Sequence, residues 1–303
     1  MTASGVSRFV TAPDGLRLHV REYGERGSQH SPRHLPVVCL PGLSRTAEDF
    51  DALASAIAAD AATPRRVLAL DYRGRGLSDH DRNPKNYAIP MELSDVIAVL
   101  VALGAAPAII VGTSRGGLLA MALAPQRPGA VAGAVLNDIG PVIASQGLMR
   151  IKGYVGKLPQ PRTFEEGADI LRRIGGGQFP NLGAADWLAA AKRGWREQNG
   201  RLIPTYDPAL AHNLTAISPD QPVPTMWRQF EALARVPVLV IHGTNSDILS
   251  SETVEAMKTR HPDMDVLVVA DQGHAPLLAE PDIIARIKQF AEKCDAVHAA
   301  AAA

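Results

Sequence analysis

Six short apolar runs, Val37 to Leu40, Val67 to Leu70, Ala108 to Val111, Val131 to Leu136, Val236 to Ile241 and Val266 to Val269, constrain this chain more than any other feature. They alternate with helix-like segments around Ala47 to Ala59, Met91 to Leu103, Gly116 to Ala124, Ser251 to Arg260 and Pro281 to Lys293. A strand with no polar face must be buried on both sides, which requires a parallel sheet with helices packed above and below it. Ahead of this alternation, Ser7 to Thr11 and Leu16 to Tyr23 flank a Pro13-Asp14-Gly15 turn and predict a β-hairpin. The expected fold is therefore α/β, with a mostly parallel eight-stranded sheet.

The alternation stops between Pro141 and about Glu231. This stretch is rich in Gly, Pro and aromatics and has helix-like pieces at Phe164 to Ile174 and Ala184 to Glu197. Placed between two strands of one sheet, it reads as an inserted helical cap rather than a separate domain. The expected organisation is a core in two parts, residues 1–140 and 233–294, a cap over 141–232, and an Ala-rich tail over 295–303 that frays. The cap holds all three tryptophans, Trp187, Trp195 and Trp227, which are expected to pack its small core.

Charge and cysteine content remove several functional classes. Lys and Arg total 31 and Asp and Glu total 31, so the chain offers no basic footprint for nucleic acid or an anionic membrane. Two distant cysteines, Cys39 and Cys294, make neither a disulfide framework nor a zinc cluster, which fits a reducing, cytoplasmic setting. Met1 to Gly15 has no apolar stretch of secretory type. Val96 to Ser114 carries no charge, but Gly104 and Pro107 interrupt it, so it predicts a buried helix followed by a buried strand and not a membrane span.

The sharpest chemical signal is Gly112-Thr113-Ser114-Arg115-Gly116, a G-x-S-x-G between a predicted strand and a predicted helix. A serine there could merely cap the helix. A nucleophilic serine, however, needs a base oriented by a carboxylate, and candidates follow in the order serine, acid, histidine. Asp247 lies beyond the Val236 to Ile241 strand and His274 beyond the Val266 to Val269 strand, at the sheet edge where open α/β folds build their sites. Asp138, just past Val131 to Leu136, is the alternative acid. His80, His212, His242 and His261 are rival bases without the same strand-end glycine context. Asp71, Arg73 and Asp79 read as structural members of a Gly-rich turn, and Arg115 as an outward salt bridge, with binding of an acidic substrate group as the alternative.

With these residues the chain resembles the α/β-hydrolase superfamily over nearly its whole length, specifically serine carboxylesterase-like members with a helical cap. Leu40-Pro41-Gly42-Leu43 looks like that family's oxyanion loop, and Asp71-Tyr72-Arg73-Gly74-Arg75-Gly76-Leu77-Ser78 like its D-x-R-G-x-G-x-S turn. The resemblance implies an oxyanion hole from the backbone N–H groups of Leu43 and Arg115. Pro41 departs from the histidine many members carry before the glycine, which removes that histidine's hydrogen bonds.

The residue types specify acyl transfer, with Ser114 attacking a carbonyl and His274 as base. The expected activity is hydrolysis of carboxylic esters of short to medium apolar acyl groups, including lactones or aliphatic polyester fragments, with no metal or organic cofactor. The expected partner is a small-molecule ester. C–C bond hydrolysis of ring-fission diketones uses the same three residue types, although such relatives often carry Met where Arg115 stands. A non-catalytic ligand receptor on the same fold is the third reading.

Overall fold

The computed structural model describes residues 5–24, 34–215, 217–218 and 223–302. The first residues of the stretch read for a secretory signal, a few of the predicted cap, and Ala303 at the end of the predicted tail lie outside them. In chain order the elements are β1 (Val6–Thr11), β2 (Arg17–Tyr23), β3 (Val37–Leu40), α1 (Asp51–Ala58), β4 (Val67–Leu70), α2 (Ile89–Ala102), β5 (Ala108–Thr113), α3 (Arg115–Gln126) and β6 (Val131–Asn137). An insertion follows with α4 (Ser145–Tyr154), α5 (Phe164–Gly175), α6 (Ala184–Gly194), β7 (Trp195–Gln198), β8 (Arg201–Pro204) and α7 (Trp227–Glu231). The chain closes with β9 (Val238–Gly243), α8 (Ser251–Arg260), β10 (Asp265–Val269) and α9 (Pro281–Ala302).

Eight strands form one sheet in the order β1-β2-β4-β3-β5-β6-β9-β10. The β1–β2 and β2–β4 pairs are antiparallel, and every pair from β4 to β10 is parallel. Alternating side chains of the apolar strands feed two cores. Val38, Leu40, Ile110 and Val240 pack with α2, α3 and α8 on one face, whereas Val37, Cys39, Ile109 and Ile241 pack with α1 and α9 on the other. Burying each such side chain stabilises the fold by about 1.5–3 kcal/mol, and both faces demand it, which is why these runs lack the polar alternation of a half-exposed strand. Val96 to Ser114 is α2, a turn and β5, and among the described residues no helix is long and apolar enough to cross a membrane.

Three expectations need correction. The predicted Ala184 to Glu197 helix stops at Gly194, and the chain turns into a β7–β8 hairpin whose tip, Asn199-Gly200, has positive φ at both residues (52° and 73°). Asn-Gly favours that turn geometry, so the signal was present in the sequence. The Ala-rich tail is helical and continues α9 to Ala302, as alanine's helix propensity allows, and Asp295 at its start bonds Arg65, His34 and the Leu35 amide. Only two tryptophans, Trp187 and Trp195, pack the insertion's own core; Trp227 lies against the main core, with the Arg260 guanidinium 3.9 Å above its ring.

The turn after β4 brings a buried charge network to the sheet edge. Glu92 of α2 pairs with Arg75 at 2.7 Å and Arg115 at 2.5 Å, and Glu92 and Arg75 are fully buried. Burial alone would raise the Glu92 carboxyl, but the two guanidinium charges outweigh it and hold it below its ordinary value. Glu92→Gln would leave two guanidinium groups without their anion, so it is expected to destabilise the fold by about 3–5 kcal/mol. Urea unfolding checks this; a loss under about 1 kcal/mol would contradict it.

Candidate active site

Sterics dictate the G-x-S-x-G. Ser114 joins β5 to α3 with φ 51° and ψ −112°, a conformation that an L-residue holds only when its surroundings enforce it. A Cβ on Gly112 would stand 2.4 Å from the Gly116 carbonyl carbon, and one on Gly116 would stand 1.9 Å from the Leu40 carbonyl oxygen. Both flanking positions must therefore be glycine for the turn to close against β3 and α3. The Ser114 N–H donates to the Asn137 carbonyl at 3.0 Å, tying the turn to the end of β6.

His274, in the loop after β10, places Nε2 2.7 Å from Ser114 Oγ and Nδ1 2.8 Å from Asp138 Oδ2. The acid that meets it is thus Asp138, not Asp247. Asp138 directly follows β6, has φ 54° and is fully buried. Its Oδ1 accepts from the Gly243 N–H at 3.0 Å and its Oδ2 from Ser246 Oγ at 2.5 Å. The loop after β9 is therefore fastened onto the β6 carboxylate, and this occupies the position beside His274. Asp247 turns instead to Arg150 of α4, which donates Nε at 2.6 Å and Nη2 at 2.9 Å. Burial pushes the Asp138 carboxyl up, but the nearby His242 ring and the hydrogen bonds from His274 and Ser246 prevail and hold it below its ordinary value.

Of the rival histidines, His242 ends β9 with Nδ1 3.5 Å from Asp138 Oδ1, so it faces the acid rather than the serine. His261 lies against the Leu233 and Val236 carbonyls. His80 is half exposed near Asp207, and His212 lies in a 3-10 turn of the insertion. Gln178, which the sequence did not single out, accepts the His274 N–H at 3.3 Å and carries the insertion onto the histidine loop.

The loop Pro41-Gly42-Leu43-Ser44 lies beside the serine: a Cβ on Gly42 would stand 3.9 Å from Ser114 Cβ. Tyr72 Oη donates to the Pro41 carbonyl at 3.2 Å and Arg75 Nε to the Leu43 carbonyl at 2.9 Å, bracing a loop that has no histidine of its own. Arg115 opens α3, where helix N–H groups face outward along the axis. Its side chain turns inward to Glu92 and the Tyr87 carbonyl, so the expected outward salt bridge is an inward one. Asp71 accepts from the Ala47 and Leu77 N–H groups and meets His19, Asp79 pairs with Arg17, and Arg73 is buried among Asp14, Asp81 and Asp95, all away from Ser114.

Ser114 and His274 open into a cavity of about 740 Å³ between the sheet edge and the insertion. Leu158, Leu171, Ile174, Phe179 and Trp187 give it an apolar wall, while Arg45, Asp49, Arg150 and Arg193 supply charge. Among the described residues no group of His, Cys, Asp and Glu is placed to hold a metal ion. A nucleophile, a base and an acid in hydrogen-bonded series at the floor of such a cavity can carry out acyl transfer.

Comparison with known proteins agrees with this fold. Residues 37–287 match the profile of the alpha/beta hydrolase family. The chain is 34% identical over 305 residues to a 3-hydroxybutyrate-oligomer hydrolase of Cupriavidus necator, with 96% of this chain aligned to 99% of that protein. It is 27% identical over 218 residues to a 2-(acetamidomethylene)succinate hydrolase of Mesorhizobium japonicum, covering 72% of this chain and 74% of that one. The crystal structure of an alpha/beta hydrolase from Novosphingobium aromaticivorans superposes with a TM-score of 0.86 at 38% identity, covering 97% of this chain and all of that one.

Proposed function

The chain belongs to the alpha/beta hydrolase family, and from that membership we propose that it hydrolyses carboxylic esters through an acyl-enzyme on Ser114. The observation that carries this reading is the series Asp138, His274, Ser114, with links of 2.8 and 2.7 Å, at the floor of a largely apolar cavity. Asp138 accepts the His274 Nδ1–H, which leaves Nε2 free to take the Ser114 proton. Ser114 Oγ then attacks the ester carbonyl, and the oxyanion sits on the Leu43 and Arg115 amides. His274 returns the proton to the departing alcohol, and water resolves the acyl-enzyme by the same route. Residues 141–232 act as the cap that shapes the acyl pocket. These residues supply the chemistry of the reaction, which therefore needs no metal or organic cofactor.

The cavity's size and apolar wall favour short to medium acyl groups, and the relative named for 3-hydroxybutyrate oligomers supports aliphatic hydroxy-acid esters as substrates. A p-nitrophenyl ester series from acetate to palmitate tests this. The expected result is an optimum at short to medium length and a steep fall beyond it. Equal rates at every length would contradict a shaped pocket, and turnover of a vinylogous diketo acid in place of esters would favour the C–C hydrolase reading.

A further inference from the structure

We propose that Arg45 and Arg193 form a subsite for a free carboxylate on the substrate, so that the enzyme selects ester-linked hydroxy acids bearing a terminal carboxylate over neutral esters. This rests on the ester-hydrolase reading and deepens it. Arg45 lies on the loop after β3, and its side chain passes beside the nucleophile: a Cβ on Gly42 would stand 3.3 Å from Arg45 Cγ and 3.9 Å from Ser114 Cβ. Arg193 comes from the other side of the cavity, at the end of α6. The two guanidinium groups converge on one carboxylate. Asp49 Oδ2 accepts from Arg45 Nε at 2.5 Å, and its Oδ1 accepts from Arg45 Nη2 at 2.7 Å and Arg193 Nε at 3.1 Å.

Two guanidinium groups share one carboxylate here, so the cluster of Arg45, Arg193 and Asp49 taken by itself carries one excess positive charge. The rest of the cavity is of mixed charge, so the position is marked by the unused donors of this pair and not by a net positive potential. Arg150 is matched by Asp247, Glu48 and Asp51 at the mouth face Arg21, and Asp186 accepts the Gly183 N–H at the start of α6. Each guanidinium has five N–H donors in a planar fork, so three bonds to Asp49 leave capacity on both for a second carboxylate. The Arg45 and Arg193 side chains are about one third exposed, 36% and 32%, and both line the cavity. In an ester of a 3-hydroxy acid the free carboxylate lies only a few bonds from the scissile carbonyl, on the leaving-group side. A molecule acylating Ser114 can therefore bring its carboxylate to a group anchored beside Gly42. Charge-assisted contacts of this kind give both affinity and orientation.

The test compares kcat/KM for the 3-hydroxybutyrate dimer as free acid with that for its methyl ester, in wild type and in Arg193→Gln, Arg45→Gln and Asp49→Asn. Wild type is expected to favour the free acid at least about tenfold, and either arginine variant to lose most of that ratio. Asp49→Asn, which removes the competing carboxylate, is expected to raise the ratio, a change of sign that a merely structural role would not produce. Equal use of acid and methyl ester by wild type, or a ratio that survives both arginine variants, would overturn the subsite. Turnover of p-nitrophenyl butyrate separates that failure from the larger one: if no ester at all is cleaved, the ester-hydrolase reading falls and the subsite with it.

Discussion

Replacing Ser114 or His274 by Ala is expected to lower kcat/KM on a p-nitrophenyl ester by at least about 10⁴-fold while leaving the protein folded. In the proposed reaction Ser114 supplies the atom that attacks, and His274 Nε2, 2.7 Å from it, receives its proton. Because the two act as one unit, the double variant is expected to be no slower than the worse single variant, an outcome that additive contributions would not give. Residual hydrolysis within about tenfold of wild type in either single variant would show that the nucleophile or the base lies elsewhere. Circular dichroism on the same samples excludes unfolding as the cause.

Asp138→Asn is expected to lower kcat by about 10³–10⁴-fold, because an amide at Oδ2 offers a donor where the His274 Nδ1–H needs an acceptor and so favours the wrong tautomer. Asp247→Asn is expected to stay within about tenfold of wild type, since it loosens the Arg150 pair and a Gln178 hydrogen bond but leaves the Asp138–His274–Ser114 links in place. The acid limb of the stability curve gives a second readout. The Asp138 carboxyl is held below its ordinary value of 3.8 in the folded chain, so its anion stabilises the fold at pH values above that of the unfolded carboxyl. This contribution is lost as the pH falls through the lower, folded value. Asp138→Asn should therefore flatten the acid limb. A larger loss of activity in Asp247→Asn than in Asp138→Asn would reverse the assignment.

The sheet was legible because its determinants are local. Runs such as Val37 to Leu40 and Val67 to Leu70 are apolar on both faces, and their observed boundaries coincide with the pattern. The G-x-S-x-G was legible because its glycines answer to contacts of the turn itself, although the Leu40 carbonyl that enforces Gly116 lies far along the chain. The acid was not settled by order, since Asp138 and Asp247 both follow a strand and both precede the histidine. What separates them is tertiary: Gly243 and Ser246 close onto Asp138, while Arg150, distant in sequence, claims Asp247. Arg115 turned inward for the same reason, because its partner Glu92 sits on another helix. The Asn199-Gly200 turn was readable, and a run of helix formers before it masked the signal. The convergence of Arg45 and Arg193 on Asp49 combines a local pair, four residues apart, with a contact that only the folded insertion provides.

A covalent acyl-enzyme on Ser114 is tested by the intact mass of the protein after reaction with a serine-directed fluorophosphonate, followed by peptide mapping. One adduct per chain is expected, located on the peptide containing Ser114, absent from Ser114→Ala and accompanied by loss of ester hydrolysis. No adduct on active protein, or an adduct that persists in Ser114→Ala, would contradict it.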